Sequence, residues 1–110
     1  MRTPCQVVFH GMDHSDAVET RISEEIEKLE RLNDRLTDCR VTVESPHHHH
    51  SKGAPYNISI NINVPGDTFV VSSGATDPSH DDVYIAVRDA FAAMSRRLKD
   101  FGDRKAAHRG

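Results

Sequence analysis

The chain has 110 residues, 36% of them hydrophobic, which is enough for one domain with a single core. Its formal net charge of −3 excludes nucleic-acid binding by bulk charge alone, and no apolar run approaches the roughly 18 residues of a membrane span. Cys5 and Cys39 are the only cysteines and no apolar signal segment opens the chain, so reduced thiols and a cytoplasmic protein are expected, although both cysteines fall on predicted strands and can be neighbours there.

Residues 6–10 read as a short strand ended by Gly11. Ser15 or Asp13 then caps a helix of about five turns, in which Val18, Ile22, Ile26, Leu29, Leu32 and Leu36 recur at three- and four-residue steps. Asp16 and Glu19 suit its positive end, and Glu24 with Lys28 and Glu27 with Arg31 are expected i,i+4 pairs on a solvated face. Residues 37–44 alternate: Cys39, Val41 and Val43 point one way, Arg40, Thr42 and Glu44 the other. Strand, helix and strand in that order predict a right-handed βαβ unit with parallel strands.

Pro46 ends this strand, and a loop with four consecutive histidines leads to the clearest stretch in the chain, residues 54–64. There Tyr56, Ile58, Ile60, Ile62 and Val64 alternate with Asn57, Ser59, Asn61 and Asn63, giving a strand with one dry and one wet face. Pro65 and Gly66 fit the central positions of a type II turn into an antiparallel strand over 68–72. A final helix starts near 79–82, carries Val83, Val87, Ala90, Met94, Leu98 and Phe101 at helical spacing, and has a natural stop at Gly102. The expected fold class is α+β: a two-layer sandwich in the order β-α-β-β-β-α, a four-stranded mixed sheet with both helices on one face. One domain covers 1–102, and 103–110 form a polar, basic tail.

Charge is unevenly spread. Between Asp16 and Arg35 seven acids face four bases, whereas from Arg96 onward six bases face two acids. At about 100° per residue, Arg88, Arg96 and Lys99 share one sector of the last helix away from its apolar stripe, and Arg97 flanks that stripe. A basic stripe of this kind is what phosphate contact requires; the alternative is a solvated helix surface. His47, His48, His49 and His50, with Lys52 and Arg40 nearby, make a second basic candidate whose charge rises below about pH 6.5. Adjacent histidines in a loop point apart, so they suit adventitious metal contact better than a specific metal site. His10 and His14 beside Asp13 and Asp16 suggest helix capping rather than acid–base chemistry. No glycine-rich phosphate loop or nucleophile elbow is present, so neither an enzyme nor a cofactor is expected.

The segments GMDHSDAVETRISEEIEKLERLNDRLTDCRVTVE, PHHHHSKGAPYNISININVPG and HDDVYIAVRDAFAAMSRRLKDF cover nearly the whole chain. Their pattern resembles the ribosome hibernation-promoting factors, also called ribosome-associated inhibitors or sigma-54 modulation proteins. The resemblance implies the same β-α-β-β-β-α fold, similar to double-stranded RNA-binding domains. It implies binding to ribosomal RNA of the small subunit in the channel of messenger and transfer RNA, which blocks translation by occupancy, with no membrane and no small-molecule substrate. The RNA-facing residues would be Arg88, Arg96, Arg97, Lys99, Lys52 and Arg40, with His47 and His48 in place of a basic loop. Ala92, Ala93 and Asp100 stand where several members are basic or polar. Longer members carry a C-terminal domain that dimerises ribosomes; the sequence ends at Gly110, so pairing by that route is not expected. The competing readings are a protein-interaction domain using the acidic first helix or the open sheet face, and weak metal binding through His47–His50.

Overall fold

The computed structural model describes residues 4–45, 56–72 and 82–108, the last six of these by backbone alone. The elements are β1 (Cys5–His10), α1 (Asp16–Leu32), β2 (Asp38–Glu44), β3 (Asn57–Val64), β4 (Asp67–Ser72) and α2 (Val83–His108). The order β-α-β-β-β-α and the mixed sheet match the reading from sequence. β1 and β2 are parallel, β2–β3 and β3–β4 antiparallel, and the strands lie in sequence order across the sheet.

The alternation that defines the strands also builds the core. Val41, Val43, Ile58, Ile60 and Ile62 are wholly buried on the face that the helices cover, while Arg40 and Asn61 stand exposed on the other. From α1 come Val18, Ile22, Ile26 and Leu29, and from α2 Ala86, Val87, Ala90, Phe91, Met94 and Leu98. Burying each larger aliphatic or aromatic side chain is worth roughly 1.5–3 kcal/mol, so this shared stripe is what fixes the helices to the sheet.

Ser15, not Asp13, caps α1: its Oγ accepts from the Val18 N–H at 3.2 Å. The helix stops at Leu32, where Asn33 turns extended and its N–H bonds the Leu29 carbonyl. Leu32 is therefore 56% exposed and Leu36 packs from outside the helix, where the sequence spacing had placed both on its stripe. Gly66 takes a φ of +84°, as the third position of a type II turn demands, and lets Val64 pair with Asp67. Gly11 takes φ +72° with the Ser45 carbonyl 3.1 Å from where a Cβ would stand.

The helix end at Gly102 is corrected. α2 runs 26 residues, through Gly102 to His108. A glycine ends a helix by turning to positive φ, and Gly102 does not do so. An added Cβ there meets nothing within 4 Å. Gly102→Ala is therefore expected to raise stability by about 1 kcal/mol, read as a higher midpoint in thermal unfolding.

Candidate nucleic-acid interface

Topology decides which cations can act together. Phe9 at the end of β1 stacks edge-on with His14 ahead of α1, and Phe69 near the start of β4 stacks with Phe101 late in α2. Both helices thus run against β1 and β4, which are themselves parallel through the register of the sheet. The helices are parallel to each other, and their C-terminal halves share one end of the domain.

On α2, Arg88, Arg96 and Lys99 are all exposed and by helical spacing lie opposite the buried stripe. From Arg88 to Lys99 the crest rises about 16 Å. Arg88 is held by its neighbour: its Nε and Nη2 both lie 3.2 Å from Asp89 Oδ1. Arg96 and Lys99 form no ion pair with any described residue, Asp100 included.

Arg97 points elsewhere. Its Nη1 donates to the Val70 carbonyl on the free edge of β4 at 2.6 Å, and its guanidinium lies 5.8 Å from the centre of the Phe69 ring. It therefore closes an edge carbonyl that pairs with no strand among the described residues. Arg97→Ala is expected to cost about 1–2 kcal/mol, seen as a lower thermal midpoint.

Arg40 stands on the opposite, helix-free face, in the register row Gln6, Arg40, Asn61, Val70. It borders an open groove of about 520 Å³ with Gln6, Asp38, Asn61 and Asn63. That face is an amide lattice more than a cationic one: Asn63 Nδ2 donates to Asp38 Oδ1 at 2.6 Å, Thr68 Oγ1 to Asn63 Oδ1 at 2.7 Å, and Asn57 Nδ2 to Glu44 Oε1 at 3.4 Å. His47, His48, His49, His50 and Lys52 lie outside the described residues.

The structure also gathers residues that the sequence reading passed over. Arg31, opposite the buried stripe of α1, and Arg35 just beyond that helix are exposed at the same end as Arg96 and Lys99. Their signal was hidden because α1 as a whole is acidic. Its ion pairs also differ from those expected: Glu25, not Glu24 or Glu27, takes Arg21 at 3.5 Å and Lys28 at 3.2 Å. Glu25 lies at the shoulder of the helix, between its buried stripe and solvent, where both cations reach it along one side.

One group of described side chains has the make-up of a metal-binding set. His14, Asp16 and Glu19 bring ligand atoms within 4.8 Å of one another, with His14 Nε2 2.9 Å from Asp16 Oδ1. All three lie at the surface by the positive end of α1, which by itself accounts for the two carboxylates. No helix among the described residues is long and apolar enough to cross a membrane.

The family model for sigma 54 modulation protein / S30EA ribosomal protein matches residues 5–106. The chain belongs to that family. Among curated proteins, the chain is similar to the ribosome hibernation promotion factor of Deinococcus radiodurans, 23% identical over 99 residues. Those residues are 90% of this chain and 49% of the relative, so the chain spans about half of that protein's length. The fold is similar to the N-terminal domain of Thermus thermophilus Protein Y, with TM-score 0.71 and 17% identity over 91% of this chain and 99% of that one. It is also similar to a ribosomal subunit interface protein from Coxiella burnetii, with TM-score 0.68 and 18% identity over 92% and 99% of the two chains. Along the α2 crest the exposed cations Arg88, Arg96 and Lys99 follow one another on one face of a regular element.

Proposed function

We propose that the chain binds the small ribosomal subunit in the cytoplasm and inhibits translation by occupying an RNA-lined cleft during ribosome hibernation. The observation that carries this reading is the pair Arg96 and Lys99, exposed on the crest of α2 and unpaired among the described residues, in a chain of the S30EA family. Such side chains bind phosphate by releasing condensed counterions, a gain that a cation already matched to a carboxylate delivers only in part. Arg88 adds its charge at the other end of the crest, diminished by Asp89. Arg31 and Arg35 broaden the cationic end across α1. Arg97, Arg40, Lys52, His47 and His48 are assigned secondary contacts to RNA.

The action is steric and needs no bond making. The relative's name, ribosome hibernation promotion factor, and the Coxiella protein's description as a subunit interface protein support this partner. The test is cell-free translation of a reporter message with the purified chain added at increasing ratio to ribosomes. Output is expected to fall as the chain approaches ribosome stoichiometry. Unchanged output at large molar excess would overturn the proposal.

A further inference from the structure

Cys5 and Cys39 are direct register partners on the parallel strands β1 and β2. Adjacent strands are about 4.8 Å apart, inside the roughly 4.4–6.8 Å between Cα atoms that a disulfide spans. Both side chains lie on the helix-covered face: Cys39 is 4% exposed within the core, and Cys5 is half-buried against it. Both are free thiols, and they face each other across the β1–β2 register.

The pair is asymmetric. The hydrogen bond from Cys39 lowers the Cys5 thiol below its ordinary range, against the opposing effects of burial and of Glu19. The same bond, with burial, the charge on Cys5 and Asp38, pushes Cys39 up and keeps it protonated. Cys5 is also the more exposed of the two, so a small oxidant meets its thiol first.

We propose that Cys5 and Cys39 form a peroxide-reactive dithiol that closes reversibly to a disulfide and ties the edge strand β1 to β2. The Cys5 thiolate attacks one oxygen of hydrogen peroxide, the O–O bond breaks, and Cys5 becomes a sulfenic acid while the other oxygen leaves as water after taking up a proton. Cys39 sulfur then attacks the sulfenic sulfur; the S–O bond breaks, and the hydroxide departs as a second water with the Cys39 proton. Two thiols and one peroxide give one disulfide and two waters. A small thiol reverses the closure by two exchanges and ends as its own disulfide. The bridge would enclose all of α1 in a covalent loop, so the oxidised chain resists unfolding more than the reduced one.

The reduced full chain is treated with slight excess hydrogen peroxide, then alkylated and weighed by mass spectrometry. Expected are loss of two hydrogen masses, no alkylation, a cross-linked peptide joining Cys5 to Cys39, and full reversal by dithiothreitol. In Cys39→Ser, oxidation stops at a Cys5 sulfenic acid that dimedone traps; in Cys5→Ser, dimedone labelling of Cys39 is at least tenfold slower, because Cys39 stays buried in the core at 4% exposed. Two alkylatable thiols surviving in the treated wild-type chain would overturn the proposal whether or not either variant folds, as would a bridge between two chains or equal labelling of the two variants.

Discussion

Reversing Arg96 and Lys99 together to glutamate is expected to abolish pelleting of the chain with ribosomes at moderate salt. The reason is local. The chain carries a formal charge of −3, so no general attraction holds it to RNA once its few unpaired cations are inverted. In a binding series, loss of two phosphate contacts should flatten the dependence of log affinity on log salt by roughly two. Thermal unfolding of the double variant should stay near wild type, because both side chains are exposed and pair with no described residue. Glu24→Lys with Glu27→Lys, on the outer face of α1, is the matched control: it alters charge as strongly but on the acidic helix, and should not weaken pelleting. Pelleting that rises in the α1 double variant as strongly as it falls in the α2 one would mean that bulk charge, and not the α2 crest, governs association.

Phe91→Ala is expected to lower stability by about 3–5 kcal/mol, the largest effect of any single substitution considered. Phe91 is 1% exposed and is the largest wholly buried side chain among the described residues, in the layer where α2 meets the rest of the core. Truncation removes its transfer free energy and leaves a cavity that a closely packed core cannot readily fill. Denaturant titration should show a lower midpoint with an unchanged slope. Stability within about 1 kcal/mol of wild type would show that α2 is not packed on the sheet as described.

The strands were the most legible part of the sequence because period-two alternation ties pattern directly to burial. In β3 each of Ile58, Ile60 and Ile62 is buried, and the intervening Asn61 is exposed. The turn at Pro65–Gly66 was equally plain, since few residues other than glycine accept its positive φ. Phe91 was missed because one stripe at three- and four-residue steps describes a narrow seam, whereas α2 meets a sheet and a second helix and buries a wider arc. Gly102 misled because a glycine signals a stop only by its backbone angle, which composition does not carry.

The candidate site was legible as charge but not as geometry. Sequence spacing placed Arg88, Arg96 and Lys99 on one sector, and all three are exposed. It did not reveal that Asp89 would engage Arg88, or that Arg97 would reach across to a strand carbonyl. Those outcomes depend on rotamers and on which strand forms the edge. Arg31 and Arg35 entered the cationic end only through the parallel packing of two helices far apart in sequence.

The central claim is tested most directly by co-sedimentation of the unaltered chain with purified small subunits, and separately with large subunits, at low and at moderate salt. The account predicts saturable pelleting with small subunits at low salt, steeply reduced as salt rises, and none with large subunits. Absence of pelleting with small subunits at low salt, or equal pelleting with both subunits, would contradict it.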